Sequence, residues 1–111
     1  MNSPQLGEIY FLERPSLRRS VHRHPCLVLR VEGALATVNF ISSEFQLFRP
    51  GKDLAVYEEW EEFKATGLEH SSFLIDGEAV QVQVTALKGL PLGRVEGALR
   101  KLVEDWWGEP L

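Results

Sequence analysis

Apolar and polar positions alternate over short stretches along most of this chain and recur at helical spacing in only two places. Gly7 to Leu12, GEIYFL, predicts a first strand rich in β-branched and aromatic residues, with Ile9 and Phe11 on one face. Pro15 breaks the pattern, and neither period is visible up to His24, so Glu13–His24 is expected to be a loop. Pro25 can open a strand but not sit centrally in one, and the apolar run Cys26–Val31 after it predicts a core strand. Glu32-Gly33 turns the chain into Leu35–Ile41, which makes a hairpin whose Ala36, Val38 and Phe40 form the buried face. Ser42-Ser43 closes that strand, Gln46–Phe48 predicts a short edge strand, and Pro50-Gly51 predicts a turn.

In the second half, Leu54–Ala65 places Tyr57, Trp60 and Phe63 at helical spacing with Glu58, Glu59, Glu61 and Glu62 around them. A short amphipathic helix ended by Gly67 at its C′ position is expected there. Ser71–Asp76 and Glu78–Thr85 predict two strands joined at Asp76-Gly77, with Val80, Val82 and Val84 on a core face. Arg94–Trp107 repeats Val95, Ala98, Leu99, Leu102, Val103 and Trp106 at three and four, a helix stopped by Gly108 and Pro110. Short antiparallel strands with one middle and one C-terminal helix make a mainly-β α+β domain. A curled sheet or partly open barrel capped by the last helix is the expected architecture.

At 111 residues the chain forms one domain, 1–111, with a single core. No apolar run approaches the roughly 18 residues that span a bilayer, and the start MNSPQLGEIYF has no signal-like pattern. The one cysteine, Cys26, excludes an internal disulfide and a cysteine-based zinc site, and its apolar setting reads as core. No membrane association and a reducing cytoplasm are expected. The net charge of -4 is unevenly spread: residues 1–50 hold six Arg against four Glu, whereas the remainder is strongly acidic. General polyanion binding is disfavoured, but a local anion site in the first half is not.

That half concentrates its chemistry in Arg14–His24, where Arg14, Arg18, Arg19 and Arg23 accompany His22 and His24 immediately before a core strand. A cationic loop feeding a rigid strand holds reactive groups over a scaffold. Arginine contacts phosphate through a two-bond fork, and an unperturbed histidine titrates near pH ~6.5, within range for acid–base work. The bland alternative is a solvated loop whose arginines pair with the acidic second half. His22 and His24 lie two apart, but with no third ligand nearby a zinc site is disfavoured. No phosphate-cradling glycine loop or Gly-x-Ser-x-Gly elbow is present.

Four segments, in order, resemble the MazF/PemK family of toxin ribonucleases. They are Gly7-Glu8-Ile9-Tyr10, His24-Pro25-Cys26-Leu27-Val28-Leu29, Phe40-Ile41-Ser42-Ser43, and the run from Gly67-Leu68-Glu69-His70-Ser71-Ser72 to Leu92-Gly93-Arg94-Val95. The resemblance implies a small SH3-like barrel of the CcdB/MazF type. It also implies a cofactor-free, metal-independent endoribonuclease that cuts single-stranded RNA, the toxin of a toxin–antitoxin pair. A homodimer is implied, with an antitoxin tail competing for the RNA grooves. The family keeps a catalytic arginine just before the strand-opening proline, where this chain has His24, and a helper Ser or Thr that Ser42 matches. The expected catalytic set is therefore His24, Arg23 and Ser42, with Arg14, Arg18, Arg19, His22 and Ser43 contacting RNA. His70 is expected to be a structural hydrogen-bond donor, and Trp60, Trp106, Trp107 and Phe48 are candidates for exposed aromatics. A second reading keeps the same barrel as a non-catalytic protein- or nucleic-acid-binding module. The acidic balance favours it, because RNA affinity draws on phosphate neutralisation.

Overall fold

The first two strands pair from Ile9↔Leu27 outward to Pro15↔Val21, which sets the frame for everything else. A computed structural model describes residues 3–15 and 21–111, with the side chains of 13–15 and 21–23 excepted. Its strands are β1 (Glu8–Pro15), β2 (Val21–Glu32), β3 (Leu35–Ser42), β4 (Leu54–Val56), β5 (Ser72–Gln83) and β6 (Gly93–Arg94). They form one antiparallel sheet in the order β4-β5-β3-β2-β1-β6, curled into a half-barrel. Two short helices, α1 (Phe63–Thr66) and α2 (Gly97–Trp107), complete a small, mainly-β α+β domain.

Both faces of the sheet centre are buried, which is why Cys26–Leu29 reads as a continuous apolar run. One face gathers Ile9, Leu27, Leu29, Ile41 and Leu74 against Phe63, Leu99 and Val103 of the two helices. The other gathers Tyr10, Cys26, Val28, Ala36, Val38 and Phe40 under Leu87. Each fully buried side chain of this size stabilises the fold by about 1.5–3 kcal/mol relative to exposure. Cys26 is part of this packing, and burial pushes its thiol up to about 12 although a backbone hydrogen bond at Tyr10 opposes the shift.

The expected loop over Glu13–His24 is corrected: its two ends are strand, up to Pro15 and again from Val21. Ladder bonds use only backbone groups, so a polar stretch can pair without showing an apolar period. Pro25 lies well inside β2, opposite Phe11. The β2–β3 ladder begins only at Cys26↔Phe40, so one flank of Pro25 has no neighbouring strand in that ladder and its missing N–H is tolerated. The Gly33 hairpin forms as expected, with Glu32 opposite Leu35 and Gly33 at φ 60°.

Three further expectations change. Gln46–Phe48 is not an edge strand; Phe45–Leu47 is a 3-10 turn whose Phe45 and Phe48 rings pack on Phe73 at 5.3 and 5.4 Å. The helix expected over Leu54–Ala65 shrinks to α1, because Leu54–Val56 pairs with β5. The three-residue spacing of Tyr57, Trp60 and Phe63 instead records consecutive tight turns, Trp60 N–H to Tyr57 O and Phe63 N–H to Trp60 O, each 3.1 Å.

The hairpin at Asp76-Gly77 is also corrected. β5 runs straight through as one strand, and its register against β3 slips between Asn39↔Ala79 and Ile41↔Leu74. Three extra residues on β5 are absorbed there as a bulge, with Gly77 at φ 82° supplying the bend. The Asn39 side chain, 1% exposed, donates to Ile75 O at 3.0 Å and Phe40 O at 3.1 Å. From the other side, the Asp53 carboxylate accepts Asp76 N–H, Arg49 N–H and the Arg49 guanidinium. Burial pushes the Asp53 carboxyl up, but those three donors together outweigh it and hold it below its ordinary value.

α2 begins at Gly97 rather than Arg94, because Arg94 pairs with Glu8 in β6. The backbones of α1 and β6 touch at two glycines. A Cβ on Gly93 would overlap Ala65 O and the Thr66 carbonyl, and one on Gly67 would overlap Leu92 O. This close approach joins the β4 and β6 ends of the half-barrel through α1. Of the valines expected in the core, Val82 and Val84 pack against the second cluster, whereas Val80 is exposed. The aromatic candidates for a free surface are packed too: Trp60, Trp106 and Trp107 lie against the first cluster and Phe48 against Phe73. Trp107 folds back beneath the Arg30 guanidinium, 6.0 Å from the ring centre.

Candidate functional site

β1 and β2 continue past the point where β3 ends at Ser42, so the sheet opens on that side into a step. A cleft of about 680 Å³ fills the step, with walls from several separate stretches of chain. His24 and Pro25 come from β2, Phe11 from β1, and Ser42, Ser43 and Glu44 from the end of β3. Leu68, Glu69 and His70 come from the segment after α1, and Ile75 and Glu78 from the β5 bulge. Ile41, Ser72 and Phe73 are its buried lining.

Register explains why His24 and Ser42 share this cleft. Cys26 pairs with Phe40 and Leu27 with Asn39, so two more steps of the same register carry His24 opposite Ser42. Strand alternation then puts His24 on the face of Cys26 and Ser42 on the face of Phe40. The His24 ring meets the Phe40 ring edge-on at 6.3 Å, in keeping with that placement. On its other side Ser42 pairs with Phe73 of β5, which brings the start of β5 to the same rim.

The hydroxyls and loops at the rim are held by local bonds. Ser42 Oγ accepts Glu44 N–H at 3.1 Å, which leaves the hydroxyl proton available to donate. Ser72 Oγ donates to His70 O at 2.7 Å. Glu58 N–H donates to Ser71 Oγ at 2.9 Å, while Ser71 N–H donates back to Glu58 Oε2 at 3.3 Å. His70 therefore presents its ring from a backbone fixed on its C-terminal side.

Of the residues singled out in the sequence, His24, Ser42 and Ser43 line the cleft. Arg23 is opposite Glu13 and His22 opposite Arg14 in the β1–β2 ladder, but the side chains of Arg14, His22 and Arg23 lie outside the described residues, as do Arg18 and Arg19 altogether. Sequence reasoning missed Phe11, Leu47, Leu68, Glu69 and Glu78 as lining, and it placed His70 in a purely structural role. The titratable groups of the described lining are His24, His70, Glu44, Glu69 and Glu78, with no lysine or arginine among them. No group of three His, Cys, Asp or Glu among the described residues is arranged to hold a metal ion.

No known family model matches the chain, and no curated protein matches it. Among the described residues, no helix is long and apolar enough to cross a membrane.

Proposed function

We propose that the cleft is the active site of a metal-independent endoribonuclease that cleaves single-stranded RNA in a sequence-selective way, in the manner of the MazF/PemK toxins that the sequence resembles. The observation that supports this reading is that His24 and Ser42, distant in sequence, line one cleft. In the reaction the ribose 2′-oxygen attacks the adjacent phosphorus, the bond to the 5′-oxygen breaks, and a 2′,3′-cyclic phosphate remains. His24, in the place of the family arginine, serves a proton transfer, and the Ser42 hydroxyl donates to a non-bridging oxygen. Arg23 adds phosphate binding, with Arg14, Arg18, Arg19, His22 and Ser43 along the RNA path. The rest of the reading follows the resemblance: a cytoplasmic toxin, a homodimer, and an antitoxin protein that competes for the groove. Purified protein incubated with mixed-sequence single-stranded RNA in EDTA tests it, with cyclic-phosphate ends expected and cutting abolished in the Arg23→Ala/His24→Ala double variant.

A second reading is favoured by one specific observation. Glu44, Glu69 and Glu78 line the cleft beside apolar Phe11, Leu47 and Leu68, with no described cation. Such a lining suits a basic, partly apolar protein segment, and the domain would then be a binding module without catalysis. Failure to cut any RNA, together with a specific protein complex recovered from cells, separates this reading from the first.

A further inference from the structure

We infer that His70 is the second proton-transfer group of the cleft, dividing acid and base roles with His24; this rests on the ribonuclease reading above. Transesterification by a 2′-hydroxyl has two proton movements, one off the attacking oxygen and one onto the departing 5′-oxygen. The described cleft holds two imidazoles, His24 and His70, and its other titratable groups are Glu44, Glu69 and Glu78.

Topology sets the chain segments that carry the two histidines on either side of β3, where Ser42 ends the strand. Sheet order is β5-β3-β2, Ser42 pairs with Phe73 of β5, and the extended β2–β3 register sets His24 across from it. His70 precedes β5 by two residues. At the level of Ser42 the backbones of β2 and β5 are two strand spacings, about 10 Å, apart. A phosphodiester placed over Ser42 lies between them, its non-bridging oxygen toward the hydroxyl and its attacking and leaving oxygens toward opposite imidazoles. The bonds Ser72 Oγ to His70 O and Glu58 to Ser71 fix the backbone that carries His70, as positioning for proton transfer demands.

In the step, the O2′–P bond forms and the P–O5′ bond breaks. One imidazole takes the 2′-hydroxyl proton, the other gives its proton to the 5′-oxygen, and exchange with water restores both. No oxidant, metal or further reactant enters the balance.

The test is cleavage of single-stranded RNA in EDTA from about pH 5 to 9 by the full chain, by His70→Gln and by His70→Ala. The inference expects a bell-shaped profile for kcat/KM in the natural protein. In both variants it expects a loss of about 100-fold or more with one limb of the bell missing, and partial rescue of His70→Ala by added imidazole. Full activity of His70→Gln with an unchanged bell overturns the inference and leaves the ribonuclease reading standing. A loss that is uniform across pH, with no imidazole rescue, assigns His70 a structural role and overturns it too. Failure of the natural protein to cut any RNA overturns both.

Discussion

The Asn39 amide donates to Ile75 O at 3.0 Å across the point where the β3–β5 ladder slips register. The bond caps a carbonyl in the stretch of β5 that the paired register skips, and Ile75 and Glu78 on that bulge are walls of the cleft. The bulge is a shaping element of the site and not a hairpin that failed to close. Asn39→Ala leaves that half-buried carbonyl without its partner and is expected to destabilise the fold by about 1–3 kcal/mol, measured by urea unfolding. An unchanged midpoint would show that the bulge holds without it.

Asp53 secures the same bulge from the opposite side, and its dependence on pH has a definite sign. Its folded pKa lies below the ordinary aspartate value of 3.8, so the ionised form is the one that stabilises the native state. That stabilisation is complete at neutral pH, is lost progressively as pH falls from about 5, and is gone below the folded pKa. Asp53→Asn is expected to cost about 1–3 kcal/mol at neutral pH and to narrow its deficit against the natural protein as pH drops towards 3. A deficit that is constant with pH would contradict this account.

The seam between α1 and β6 makes Gly93 intolerant of a side chain. Gly93→Ala drives a methyl group into Ala65 O and the Thr66 carbonyl and is expected to destabilise by about 1–3 kcal/mol or more. Gly51→Ala is the control for φ alone, since Gly51 has φ 80° but meets no atom within 4 Å. A larger loss at Gly93 than at Gly51, read as a shift in Tm, confirms that the two backbones must touch.

Cys26 is fully buried and its thiol is raised to about 12, so in the folded protein it is neither exposed nor ionised. A thiol reagent at about pH 8 is expected to label Cys26 only as fast as the protein unfolds, with full labelling in denaturant. Rapid labelling of the native state would show that the β1–β2 region opens far more readily than its packing implies.

What the sequence made legible were the faces that bury apolar side chains. Ala36, Val38 and Phe40 stand where alternation puts them, and Leu99 and Val103 lie on the buried stripe of α2. What it hid were features decided by backbone pairing over distance. Pairing of Glu13 with Arg23 leaves no trace in polarity, and Asp76-Gly77 serves a bulge as well as it serves a hairpin turn. Tyr57, Trp60 and Phe63 keep a spacing of three in consecutive turns as they would in a helix. For the site, the resemblance of His24-Pro25 and Ser42-Ser43 to the MazF/PemK motifs pointed to His24 and Ser42, which both line the cleft. Glu69 and His70 were obscure because they arrive from a segment that meets β3 only through the β5 pairing, and Glu78 because it stands on the bulge.

In the proposed ribonuclease, His24 and Ser42 form one reactive centre on RNA. Its most direct test is cleavage of mixed-sequence single-stranded RNA in EDTA by the natural protein and by His24→Ala and Ser42→Ala. The account predicts products ending in 2′,3′-cyclic phosphate, a loss of about 100-fold or more in His24→Ala, and a smaller loss in Ser42→Ala. Cleavage at the natural rate by His24→Ala, or no cleavage by the natural protein on any RNA, would contradict it.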